Sequence, residues 1–299
     1  MTAQSPAPSR APGDPIRIMG IYAHPADVAT EAGGTMALHA DRGDEVTGIV
    51  LSDGIRMHPH FLQSAEGRAP MTLAEYREFK RDEVRRASKI LGFASVAFMG
   101  WEENFWDASD QRIETLARAI AAHKPDAIVT HYPVGAYMID SNAFTGVYVT
   151  RALGLASTLV PEIDGVEPHF VKELFFFLMD QSVDTRSKID MVGIVADFYV
   201  DITPVIGRKV QAFDQYVSQG YEGQFARKVA EARDGRFGML ANTSYAEAFM
   251  YSRGTTFTSL PLPDAVMNRE WVPNDLPGDK ITAWQTPDAT PPEAYGRRR

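Results

Sequence analysis

The chain has 299 residues, 44% of them hydrophobic and 23% charged, the balance of a globular protein with enough apolar mass for a substantial core. Its formal charge of −9, with no long Lys/Arg run apart from Arg297–Arg299, argues against nucleic acid or an anionic membrane as the partner. It contains no cysteine, which excludes disulfides, thiolate catalysis and Cys-ligated zinc.

Residues 1–14, rich in Pro, Ala and Ser, lack the apolar core of a signal peptide and read as a disordered lead-in to a cytoplasmic protein. Strands and helices then alternate. A strand is expected at Ile16–Tyr22, a helix at Val28–Arg42 stopped by Gly43-Asp44, and a second strand at Glu45–Leu51. The loop from Ser52 to Thr72, with His58 and His60, is long enough for a lid or substrate wall. A helix follows at Leu73–Leu91, ended by Gly92, then a strand at Val96–Met99, a helix at Gln111–His123, a strand at Ala127–Thr130 and a helix at Asn142–Ala156. Later strands are expected at Glu173–Met179 and Phe198–Ile202, and the region after Thr203 reads as mostly helical, including 205–219. The longest apolar runs, such as 174–179, are too short to span a bilayer. This alternation predicts an α/β Rossmann-like three-layer sandwich with a mainly parallel sheet. Residues 15–259 are expected to form a single domain. The Pro-rich stretch 260–299 is read as an extension over the surface or a neighbouring subunit, which leaves a homo-oligomer open.

His24 and Asp27 fall at the C-terminal mouth of the first strand, where open α/β sheets bind ligands. A His and an Asp three residues apart across a tight turn can also present nitrogen and oxygen to one metal ion. The text Ala23-His24-Pro25-Ala26-Asp27, with Gly33-Gly34 beyond it, and the segment Val129–Gly146 together resemble the PIG-L/LmbE superfamily of zinc-dependent N-deacetylases. Weaker matches at Leu73–Gly92, Phe98–Asn104, Val200–Gln219 and Ser244–Phe249 extend the likeness over roughly Ile16–Phe249.

The resemblance implies a divalent metal, zinc in the family, held by His24, Asp27 and Asn142, the last standing where the family has a third His ligand. The alternative is no metal, with these residues hydrogen-bonding the substrate directly. Asn142 oxygen suits hard cations better than zinc. Ala26 replaces the Asp that activates the metal-bound water, Ile139 the His that polarises the substrate carbonyl, and Ser141 the Asp before the third ligand. Tyr137 matches a Tyr that gates the pocket and can stabilise an oxyanion, whereas Asp140 meets the motif's Asp only after a one-residue slip. Lys80 and Glu103 stand at substrate-contact positions, and Tyr216 replaces a late His. The 4-oxalomesaconate hydratase branch resembles this chain in carrying Ala at the position of Ala26, although it keeps the third His.

Outside the motif, His131 ends the fourth strand and faces the same mouth, as a source of nitrogen, an acid/base or a loop hydrogen-bond partner. His39 and His123 read as surface residues, Lys80 and Arg85-Arg86 as a solvated helix face, and Trp101, Phe105 and Trp106 as core, rim or an aromatic pocket wall. The function expected is a hydration, elimination or hydrolytic step on a small oxygenated, aromatic-derived or carboxylated molecule. Tyr137, His131 and Asp140 would be its catalytic groups, and Lys80, Glu103 and Trp101 its substrate contacts. The alternatives are an N-deacetylase with a relocated base and an inactive homologue that serves as a binding subunit.

Overall fold

A computed structural model describes residues 14–65, 67–103, 109–133, 141–178, 196–258, 260–262 and 267. Five strands run parallel: β1 (Arg17–Tyr22), β2 (Glu45–Ser52), β3 (Ser95–Trp101), β4 (Ala127–His131) and β5 (Glu173–Phe177). Two more, β6 (Phe198–Asp201) and β7 (Ala246–Tyr251), pair antiparallel, and β7 also runs antiparallel to β5. They form one seven-stranded sheet in the order β3-β2-β1-β4-β5-β7-β6. The expected mainly parallel α/β sheet is therefore present. The chain winds outward from β1 to β3 and then returns to β4 on the other side of β1. The C-terminal ends of β1 and β4 thus flank the point where strand order reverses.

Alternation along β1 feeds two cores. Ile18 and Tyr22 face a cluster with Val46, Val50, α2 (Gly33–Asp41), α3 (Leu73–Leu91) and α7 (Ile206–Phe213). Met19 and Ile21 face Ile49 and Leu51 with α4 (Asp110–His123) and α5 (Ser141–Ala156). Each fully buried aliphatic side chain in these layers contributes about 1.5–3 kcal/mol of transfer free energy. The short helices α1 (Asp27–Thr30) and α6 (Pro161–Asp164), and α8 (Gln224–Val229) joined to α9 (Arg236–Ala241) by a π-helical turn at Ala230–Gly235, complete the fold. No helix among the described residues is long and apolar enough to cross a membrane.

Three expectations are corrected. The single helix predicted for 28–42 is two, because Glu247 caps a new N-terminus. Its carboxylate accepts from Gly34 N at 2.9 Å and Thr35 N at 2.8 Å, and a Cβ on Gly34 would come within 2.7 Å of Ile202. The helix predicted for 205–219 stops at Phe213, because Ser218 leaves the helical path to meet Glu83, donating from N and Oγ at 2.6 Å each. Strand β7 was not anticipated, and the late region is less helical than expected. By contrast α3 begins and ends where the sequence places it, with a reciprocal Thr72/Glu75 capping box and Gly92 in the left-handed region at φ 86°.

Lys80 and His39 also depart from expectation. Lys80 is fully buried rather than on a solvated face, its Nζ donating to Ser218 Oγ at 3.2 Å. His39 is half-buried, with Nδ1 2.6 Å from Asp44 Oδ2.

Candidate active site

The end of β1 is pinned from both sides. Thr130 Oγ1 on β4 donates to Ile21 O at 2.8 Å, and Ser52 at the end of β2 donates to Ala23 O from both N (3.1 Å) and Oγ (2.8 Å). Beyond this clamp the chain turns at His24-Pro25 and enters α1, with Asp27 at its first position. Asp27 folds back over the turn, and its Oδ2 accepts from His24 N at 2.8 Å. The same oxygen lies 3.4 Å from His24 Nδ1 and 3.1 Å from His131 Nε2.

His131 sits at the last position of β4, 1% exposed, its ring edge-on to Phe177 at 4.5 Å. Its Nε2 is 3.1 Å from both the Ala23 N–H and Asp27 Oδ2. One ring nitrogen can accept from the first or donate to the second, so the tautomer of His131 is contested by its two neighbours. Burial on its own would raise the Asp27 carboxyl. Hydrogen bonds and positive charge from His131 and His24 outweigh that and hold it well below the usual carboxylate range. Asp27 is therefore a fixed anion beside two imidazoles.

The other side of the His24 ring meets Ser141 and Glu103. Ser141 Oγ lies 2.8 Å from His24 Nε2, and Glu103 Oε1 lies 3.6 Å from the same nitrogen. Glu103 is 3% exposed and held by its other oxygen, which accepts from Arg56 N at 2.8 Å and Met57 N at 3.2 Å. Its Oε1 has no hydrogen-bond partner among the described residues. The result is an imidazole with a carboxylate near each nitrogen and a hydroxyl in contact with one.

Of the residues singled out in the sequence, His24, Asp27, His131 and Glu103 are brought together. Asn142 is the next residue along α5 from Ser141 and is half-buried. Trp101 is half-buried with its ring edge-on to Tyr148 at 5.4 Å and the Arg112 guanidinium 5.2 Å above it. Lys80 lies behind the site beside Glu83 and Ser218, where burial pushes its ammonium down to about 8 even though Glu83, Glu103 and Asp53 pull it up. Tyr137, Ile139, Asp140, Phe105 and Trp106 lie outside the described residues. His58 is half-buried, and burial, with the charges of Lys80, His60 and His24, lowers it to about 4; His60 is exposed. Tyr216, at the late His position, is fully buried, and burial raises its phenol well above the ordinary value.

Ser141 is the functional candidate that sequence reasoning passed over. The alignment marked it only as a lost Asp. Nothing local shows that α5 would aim it at a residue 117 positions away.

The residues present do not fit the zinc centre that the resemblance implies. Although His24, Asp27, His131 and Glu103 lie close together, no three His, Asp or Glu side chains among the described residues are arranged to hold a metal ion. Asp27 and Glu103 lie by opposite nitrogens of the His24 ring, so one ion bound to one nitrogen cannot take both. Asp27 Oδ2 is also occupied by a backbone donor. The third family ligand is an amide, which leaves a donor set poorer in nitrogen than zinc prefers.

The sequence profile of the family described as "PIG-L: GlcNAc-PI de-N-acetylase" matches residues 19–145. The 1D-myo-inositol 2-acetamido-2-deoxy-alpha-D-glucopyranoside deacetylase of Streptomyces scabiei is 28% identical over 197 residues, which span 57% of this chain but only 60% of that enzyme. The 4-oxalmesaconate hydratase of Pseudomonas putida is 24% identical over 238 residues, 78% of this chain and 86% of that enzyme. Among solved structures, the 4-carboxy-2-hydroxymuconate hydratase of Pseudomonas putida KT2440 superposes with a TM-score of 0.66 at 22% identity, covering 82% of this chain and all (100%) of that one. At that identity the superposition establishes the fold.

Proposed function

We propose that the chain, whose residues 19–145 match the PIG-L profile, is a hydro-lyase acting on a small oxygenated, carboxylated substrate, with His24 as the proton-transfer group. The observation that carries this reading is the environment of Ala26. Where a deacetylase of this fold needs a carboxylate to activate water, the chain has a methyl group, 4% exposed and packed into the core. Position 26 itself offers no carboxylate to take a proton from attacking water in the way amide hydrolysis requires. The likeness to a hydratase over most of its length supports the same direction.

His24 has the surroundings of an acid/base. Glu103 Oε1 can accept a hydrogen bond from a water at Nε2, and Asp27 stabilises the imidazolium that forms when His24 removes that water's proton. Attack of the water oxygen on the β-carbon of a carbon–carbon double bond conjugated to a carbonyl gives an enolate. The α-carbon then takes up a proton from His24 or from solvent, and the reverse sequence is dehydration. The Tyr137 phenol is the proposed donor to the enolate oxygen, by its motif position. A donor in that role is worth about 2.7–4 kcal/mol of transition-state stabilisation.

Incubation with a panel of conjugated unsaturated carboxylates, followed by loss of their ultraviolet absorbance, tests this. At least one should be consumed by the parent protein. Robust acetate release from N-acetylglucosaminyl substrates, with no consumption of any unsaturated acid, would replace the reading with deacetylation.

A further inference from the structure

Hydration chemistry uses His24 but gives no part to the hydroxyl in contact with it. Ser141 Oγ is 2.8 Å from His24 Nε2, and Asp27 Oδ2 is 3.4 Å from the opposite nitrogen, Nδ1. A hydroxyl on Nε2 and a carboxylate on Nδ1 of one imidazole is the order that nucleophilic catalysis by serine requires, and such constellations are recognised by geometry rather than by chain order. We propose that Ser141, His24 and Asp27 form a nucleophilic relay that gives this chain acyl-transfer activity towards small esters. The inference goes beyond the hydration reading and does not depend on it.

Four features support the relay. First, Ser141 Oγ is in hydrogen-bond contact with Nε2 while Asp27 Oδ2 faces Nδ1 at 3.4 Å, the arrangement in which a proton on Nδ1 faces the carboxylate and the Nε2 lone pair faces the hydroxyl. The Asp27 separation is longer than a hydrogen bond, but such contacts are often loose before substrate binds. Second, Asp27 is immobilised by the His24 N–H and by His131, so it holds the ring rather than following it.

Third, Ser141 is placed firmly. Thr145 Oγ1 donates to Ser141 O at 2.8 Å, and α5 lies so close to the end of β4 that a Cβ on Gly146 would be 2.4 Å from His131 O. Fourth, access is on the imidazole side: His24 keeps 20% of its side chain exposed, while Ser141 is sheltered at 8%.

The reaction balances without an oxidant or reductant. Ser141 Oγ bonds to the ester carbonyl carbon as its proton passes to His24 Nε2, and the carbonyl π pair moves to oxygen. That pair returns as the bond to the alcohol oxygen breaks, and His24 protonates the departing alcohol. Water then attacks the acyl-serine, its proton going to His24 and on to Ser141 Oγ as the carboxylic acid leaves. The sum is ester plus water giving acid plus alcohol.

The test is covalent capture with a fluorophosphonate, which forms an oxygen–phosphorus bond to an activated serine and expels fluoride. The full chain is labelled, its intact mass measured and the modified peptide sequenced. The expected result is one adduct, on Ser141, absent from heat-denatured parent and from Ser141→Ala, and formed about a hundredfold or more slowly in His24→Gln. Parent protein should also hydrolyse p-nitrophenyl acetate with an initial burst. No adduct on native parent, an adduct on another residue, or labelling of Ser141 that survives His24→Gln or denaturation would each overturn the relay. The decisive comparison of native with denatured parent needs no variant to fold.

Discussion

Replacing Glu247 by Gln should destabilise the protein by about 3–5 kcal/mol, the range for breaking a buried ion pair by neutralising one partner. The carboxylate is 1% exposed and serves three donors: Lys209 Nζ at 2.7 Å, Gly34 N at 2.9 Å and Thr35 N at 2.8 Å. Glutamine keeps the shape and one accepting oxygen, but turns an NH2 donor towards a group that also donates. One charge-assisted hydrogen bond is then lost, about 1.5–3 kcal/mol, along with the favourable charge at the start of α2, up to about 2 kcal/mol where partly buried. Lys209 keeps Asp234 at 2.9 Å, which holds the loss to this range rather than beyond it. At about 2–4 °C per kcal/mol for domains of roughly this size, Tm should fall by about 6–20 °C. Calorimetry and urea unfolding measure it, and faster amide exchange at Gly34 and Thr35 should accompany the loss. A Gln variant within about 0.5 kcal/mol of the parent, the scatter of ordinary surface substitutions, would refute the assignment of Glu247 as the cap that divides α1 from α2.

Lys80 supplies a pH signature. Its folded-state pKa of about 8 lies below the unfolded value, so the unfolded chain binds the extra proton between the two, and stability should rise by up to roughly 3 kcal/mol from pH 8 to 10.5. Urea midpoints across that window should show the rise in the parent and not in Lys80→Met. Gly146→Ala should cost about 1–3 kcal/mol of overpacking strain, because its Cβ would meet His131 O at 2.4 Å and Pro133 N at 2.8 Å. The same change should slow fluorophosphonate labelling, whereas unchanged thermal unfolding would show that α5 can recede. Calorimetric titration should find weak zinc binding to the parent and at least about tenfold tighter binding to Asn142→His, where an imidazole replaces an amide. Equal affinities would contradict the fit argument.

What could be read from the sequence depended on how local its cause was. Helix α3 was legible to the residue because Thr72, Glu75 and Gly92 carry its ends within its own segment. The break between α1 and α2 was not, since its cause, Glu247, lies 213 positions from Gly34. Strand β7 was hidden by Ala246, Glu247 and Ala248, residues poor in strand propensity, whose place between β5 and β6 comes from tertiary pairing. In the site, His24 and Asp27 were legible because both belong to one turn. The meeting of Ser141 and Glu103 at one nitrogen of His24 needed the ends of β1, β3 and α5 to be brought together in space. Lys80 misled in the opposite sense. Its charge suggested solvent, but its partners Glu83 and Ser218 bury it.

The central proposal is that this chain adds or removes water with His24 transferring the proton. It is tested most directly by turnover in oxygen-18 water of whichever unsaturated acid the parent consumes, comparing parent with His24→Gln by product mass and rate. The parent should yield a product heavier by one labelled water, with the oxygen on carbon rather than in a carboxylate. His24→Gln should make it about a hundredfold to ten-thousandfold more slowly while remaining folded. A His24→Gln variant that turns over at the parental rate, or label found only in a newly formed carboxylate, would contradict the claim.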